Sequence, residues 1–168
     1  MSNSLRVVGA GSRSCGDCTA CCTLAAVEEL GKPEFSRCSN LGDRCDIYDD
    51  RPQSCRDWGC MWYHGYLEDR DRPDKSGIMI LPNKEGFARA FGAQVVSARE
   101  VSRSAARMPR GEKAIKRLTR SGVSLIFKDE DGGMKIYPGG GAERLFHALL
   151  RKMGKDYSWR GKFFSVNP

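Results

Sequence analysis

Eight cysteines fall between residues 15 and 60 of a 168-residue chain, and the rest of the sequence has none. That cluster constrains the fold more than any hydropathy pattern does. The segment that carries it is rich in Gly, Asp and Arg and poor in aliphatic side chains, so it cannot bury enough apolar surface to order itself. Either disulfides or bound metal must supply the missing cohesion. The opening residues Met1-Ser2-Asn3-Ser4 lack the basic and long apolar regions of a secretory signal. No stretch approaches the ~18 consecutive apolar residues of a membrane span. The expectation is a cytoplasmic protein with no membrane partner, and in a reducing compartment clustered thiols hold metal in preference to forming disulfides.

The spacing sharpens this. In Cys15-x2-Cys18-x2-Cys21-Cys22, two cysteines three apart in a tight turn can aim both thiolates at one ion, and a third extends the bite. The neighbours Cys21 and Cys22 point in different directions along the chain, so ligation of one tetrahedral ion by both would strain the backbone. They are expected to serve different sites. One is built from Cys15, Cys18, Cys21 and a distant thiolate; the other from Cys22 and the remaining three of Cys38, Cys45, Cys55 and Cys60. Zinc and iron–sulfur clusters both accept four thiolates. The ferredoxin-like triplet favours a cluster and the scattered remainder favours zinc, so both stay open. His64, four residues past Cys60, is a candidate extra ligand.

With Cys38 and the run Cys45-x-Ile47-Tyr48-x2-Arg51-Pro52-x2-Cys55-Arg56-x-Trp58-x-Cys60 added, the pattern resembles the CxxCxxCC family of zinc- or iron-chelating cysteine-cluster proteins, the YkgJ type. The resemblance covers about residues 15–82. It implies metal chelation by the cysteines in bacterial proteins mostly without an assigned reaction. A related cluster occurs in flagellin lysine methylases, and this chain offers no glycine-rich nucleotide loop to match methyl transfer. Arg51 and Arg56 read either as guanidinium donors that offset the charge of a thiolate site or as surface partners of nearby aspartates. Tyr48 and Trp58 read as packing around the site.

The formal net charge is +7, but it is unevenly placed. Residues 1–75 carry ten basic and thirteen acidic side chains, and residues 76–168 carry eighteen and eight. Residues 1–14 read as a flexible lead. Its Val7-Val8-Gly9-Ala10-Gly11 fails as a dinucleotide fingerprint because Ser14 replaces the third glycine and no apolar helix follows. Asp50-Arg51-Pro52 predicts an N-cap and a first-turn proline for a short helix carrying Cys55 and Arg56. Residues 66–75 read as a charged linker between a cysteine region over 15–65 and a basic body over 76–168, the two forming one compact unit.

In the body, Gly77 to Leu81 predicts a buried strand stopped by Pro82, and Phe87 to Val96 a weaker one. Apolar residues at 98, 101, 105 and 108 predict a helix ended by Pro109, and a second runs from Glu112 to Arg120. A hairpin follows, 123–127 and 134–137 around a turn at 129–133. A helix over 142–153 ends at Gly154, and a tail with Trp159, Phe163 and Phe164 packs down. The fold class is α+β, an irregular metal-stapled region on a small antiparallel sheet with two to four helices.

No Ser-His-Asp arrangement, HExxH or P-loop is present, so no catalytic motif is recognised. His147 reads as structural. Arg99, Arg103, Arg107, Lys116, Arg117 and Arg120 are expected on one exposed side, where they are either a solvated face or a surface for nucleic acid or an acidic partner. Three functional readings follow: a metal-binding protein with an interaction or redox role; an iron–sulfur enzyme modifying protein or RNA; and a zinc-stabilised adaptor that binds through 99–120.

Overall fold

The computed structural model describes residues 13–82, 94–128 and 131–168. Its frame is a six-stranded mixed sheet in the order β1-β2-β3-β4-β6-β5. The strands are β1 Ile78–Pro82, β2 Gln94–Glu100, β3 Val123–Lys128, β4 Met134–Tyr137, β5 Tyr157–Trp159 and β6 Phe164–Val166. Among the described residues five α-helices accompany it: α1 Ala20–Leu24, α2 Gln53–Asp57, α3 Pro73–Ser76, α4 Pro109–Arg120 and α5 Glu143–Lys152. The α+β class is as expected, but the sheet is not purely antiparallel. β2 and β3 run parallel, Val96 opposite Leu125 and Ala98 opposite Phe127, because α4 forms the crossover that a parallel pair needs. Among the described residues no helix is long and apolar enough to cross a membrane.

β3 shows why the sheet sits in the middle of the molecule. Val123 to Phe127 are all buried, as a strand covered on both faces requires. Leu125 and Phe127 join a cluster with Ile78, Ile80, Val96 and Ala98 of the sheet, Ile115 and Leu118 of α4, and Ala20, Leu24, Cys60, Met61 and Trp62 of the cysteine region. Ile126 faces the other way, into a second cluster with Val95, Ile136, Phe164, Val166 and Phe146, Leu149 and Leu150 of α5. The cysteine region therefore caps one face of the sheet and α5 the other.

Several sequence expectations hold. β1, the β3–β4 hairpin, α4 and α5 lie where expected, Gly154 takes φ +63° just past α5, and the tail packs through β5 and β6. The 129–133 turn falls partly, and residues 87–93 wholly, outside the described residues, as do residues 1–12 of the lead.

Four expectations change. No helix starts at Ala98: residues 94–100 are strand β2, paired on both sides, and only Ala105–Arg107 forms a 3-10 turn. The spacing of 98, 101, 105 and 108 fits a helix, but the β-branched Val95-Val96 pair and two available strand partners outweigh it. Arg99 is consequently not on an exposed face. It is buried in β2, donates to Glu34 at 2.9 Å and lies over the Phe35 ring, so it ties the cysteine region to the sheet. Residues 66–75 are not a linker either. They form a 3-10 turn, Asp69–Asp71, and α3, their charges matched by Arg72–Asp74 at 2.6 Å, Lys75–Asp69 and the buried Asp71 against Arg117 of α4. Finally, Pro52 stands at the N-cap position of α2 in place of Asp50, and Arg13 at the end of the lead is anchored to the carbonyls of Trp62 and Leu67.

Candidate metal centre

The cysteine region is built from turns with short helices between them. Cys15 and Cys18 close one turn, Cys18 N–H donating to Cys15 O at 3.0 Å, and α1 then carries Cys21 and Cys22. A narrow loop follows, with Val27 and Lys32 bonded as an antiparallel bridge around a 3-10 turn that ends in Gly31 at φ +59°. The chain returns so that Cys38 N–H donates to Cys22 O at 2.8 Å. A second bridge, Leu41 to Cys45, holds Cys45. α2 presents Cys55, and Cys60 enters the core beside β1, where Met61 N–H donates to Ile80 O.

α2 has no capping side chain of its own. Glu29 supplies one from outside, its carboxylate accepting Ser54 N–H at 3.1 Å and the Ser54 hydroxyl at 2.5 Å. Those donors hold the Glu29 carboxyl below its usual range.

All eight cysteines line one cavity of about 430 Å³. Cys38 and Cys60 are buried and the other six half-buried, and none is in a disulfide. Among the described residues no group of three or more His, Cys, Asp or Glu side chains stands in an arrangement that could itself hold a metal ion. The thiols share a chamber without closing on a point. Burial first, then Cys60 and Cys18, push Cys15 up to about 11, and burial also raises Cys18, Cys55 and Cys60.

The neighbours each cysteine feels fall mainly into two groups. Cys15 interacts with Cys60 and Cys18 and, least, with Cys22, Cys60 with Cys18, and Cys21 with Cys15 and Cys18. Cys55 interacts with Cys22, Cys38 and Cys45. The Cys21-Cys22 pair is the junction: the Cys21 thiol donates to Cys22, which raises Cys21 and, with Lys32 and Arg37 nearby, lowers Cys22 to about 7.

The walls suit anionic sulfur. Backbone N–H groups of Ala20 and Asp74 are directed at Cys18, and those of Trp62 and Tyr63 at Cys60, which favours thiolate over thiol. Trp62 Nε1 and Arg51 Nε are buried without an acceptor among the described residues, and both residues line the cavity. A buried donor left unpaired is costly, and sulfur carrying negative charge is the acceptor this chamber can offer. Lys32 is buried, its ammonium on the carbonyls of Ala25 and Pro33, and brings a fixed positive charge to the same wall. A Cβ on Gly59 would collide with the Tyr63 ring and the His64 imidazole, so glycine lets the chain pass tightly into Cys60.

The second tier of expected residues is divided. Arg51 lies over the half-exposed Tyr48 ring at 4.0 Å, and both line the cavity with Trp58. Arg56 does not; its guanidinium donates to Arg51 O and Asp49 O, bracing the loop that carries Arg51. His64 is exposed, stacked edge-on against Tyr63 and outside the cavity lining. Lys32 and Trp62 were missed. A lone lysine among surface-like residues carries no signal, whereas Trp62 two residues past Cys60 stood in plain view as a donor. No family model, no curated protein and no solved structure matches this chain, so the character of the centre rests on its own residues.

Proposed function

We propose that this protein chelates metal, as zinc or iron–sulfur, at two four-thiolate sites: Cys15, Cys18, Cys21 and Cys60 in one, and Cys22, Cys38, Cys45 and Cys55 in the other. The observation that carries the reading is that every cysteine of the chain lines a single cavity. Sulfur-only donor sets select zinc or iron–sulfur over hard cations. Binding turns the thiols inward and releases their protons, since only thiolate ligates. Four thiolates about a dication, or about a [4Fe–4S]²⁺ core, leave roughly two negative charges per site. Lys32 and Arg51 offset that charge, and the amides at Cys18 and Cys60 hydrogen-bond the sulfurs. The same reading is what the resemblance to the CxxCxxCC family implies.

The bound group would supply structural cohesion if zinc and electron transfer if iron–sulfur. An interaction or redox role follows, with the sheet body as its platform. Purification without air, followed by metal analysis and an optical spectrum, tests this. Colourless protein with about two zinc ions per chain, or brown protein with absorbance near ~400 nm that bleaches on reduction, upholds it. Less than one equivalent of zinc plus iron overturns it.

A further inference from the structure

A second concave site lies outside the cysteine chamber. The 69–76 segment and one flank of α4 enclose a groove of about 380 Å³ lined by Arg70, Lys75, Ser76, Arg110, Lys113, Ala114 and Arg117. Five of these seven residues are cationic and none is acidic. Arg110, Lys113, Ala114 and Arg117 follow each other at helical intervals of three, one and three, so a single flank of α4 presents three of its five cations to the groove. The cations opposite come from a segment with its own fixed frame: Ser76 is buried and its hydroxyl is committed to backbone groups of Asp71, Arg72 and Ile78.

The charges are differently placed in the fold. Arg70, Lys75 and Arg117 are each positioned by a carboxylate, Glu68, Asp69 and Asp71 in turn, and Asp71 is buried. The side chains of Arg110 and Lys113 make no hydrogen bond or ion pair among the described residues. With three of the five cations already matched by carboxylates, Arg110 and Lys113 leave the groove a net positive charge that a bound anion would offset. Three anchored cations and two unanchored ones converging on one groove are what recognition of a multivalent oxyanion requires, because guanidinium forks and an ammonium together match the oxygens of phosphate.

We propose that this groove binds a phosphate group, as a small phosphorylated ligand or as the phosphodiester backbone of a nucleic acid. α3 is its shared wall with the thiol chamber: Pro73 lines the chamber, while Lys75 and Ser76 line the groove. The site stands independently of the metal reading, since none of its residues is a cysteine.

The test titrates the full, metal-loaded chain with inorganic phosphate, and separately with a short single-stranded oligonucleotide, following backbone amide shifts of isotope-labelled protein. Saturable shifts confined to 69–76 and 109–117 are expected with at least one probe. R110E/K113E, at two exposed positions, should weaken binding about tenfold or more. R151E/K152E, an equal charge change on exposed residues of α5 outside the groove, should leave binding nearly unchanged. Saturation by inorganic phosphate identifies a single phosphate group as sufficient. Saturation by the oligonucleotide alone, with an affinity that falls steeply with salt, identifies the phosphodiester chain. Absence of saturable binding by both probes, or equal weakening by the two double variants, overturns the proposal.

Discussion

The two halves of this molecule are ordered by different physics. The sheet body buries Leu125, Ile136 and Phe164 completely and covers both faces of β3 with apolar side chains. The cysteine region has helices of five residues, few core side chains, and a chamber lined by eight thiols where a body of its size would have leucine and valine. Hydrophobic burial accounts for one half and not the other. The cysteine region leans on the sheet through Met61, Trp62 and Leu67, and needs its own internal cohesion, which the proposed metal sites provide.

Stripping the metal is the harshest way to break this contrast. Structural zinc contributes about 10–16 kcal/mol in small peptides. Chelation should therefore abolish amide protection at Cys22, Cys38 and Leu41, while residues of the second cluster, Ile126, Ile136, Phe146 and Phe164, stay protected in hydrogen exchange. Uniform loss across both regions would show that the contrast is false. The mirror experiment is Leu125→Ala, which leaves a cavity in the sheet core. It should cost about 2–5 kcal/mol in denaturant unfolding while the metal content of folded protein stays unchanged.

How much of this was legible in sequence follows the same division. β1, the β3–β4 hairpin, α4 and α5 were readable because their periodicity is local and their termini carry proline or glycine. The 98–108 segment was not, because its helical spacing is real and only the pairing partners of β2 decide against it. Nor was the packing of 66–75 visible: a run of charges reads as solvated until its partners are known, and Arg117 lies over forty residues away. In the site, the cysteines and Arg51 were identifiable from spacing and motif. Lys32 was not, since its burial depends on a loop closing onto Ala25 and Pro33.

Smaller effects sharpen the account at the chamber wall. Trp62→Phe keeps the ring and removes the buried N–H, and Arg51→Met keeps the stem and removes the guanidinium. Each should weaken metal retention against a competing chelator by roughly tenfold, and Arg51→Met should do so with little change in overall unfolding. An unchanged chelator competition would mean that neither donor serves the sulfurs. The smallest effect belongs to Glu29. Its carboxyl is held below the usual range by Ser54, so the contact is fully made above the ordinary glutamate range and is lost as pH falls through the depressed folded value. Glu29→Gln should loosen α2, and with it Cys55, already at neutral pH, and should flatten the acid dependence of metal release.

The central claim, two separate four-thiolate sites, meets its most direct test in native mass spectrometry of anaerobically prepared protein with Cys60→Ser and Cys55→Ser measured beside it. The account predicts two bound zinc ions or clusters in the parent protein, and one in each variant. It further predicts that Cys60→Ser retains the site of Cys22, Cys38, Cys45 and Cys55, whereas Cys55→Ser retains that of Cys15, Cys18, Cys21 and Cys60, as read from which cysteines stay shielded against alkylation. A single bound group in the parent, or the same shielded set in both variants, would contradict it.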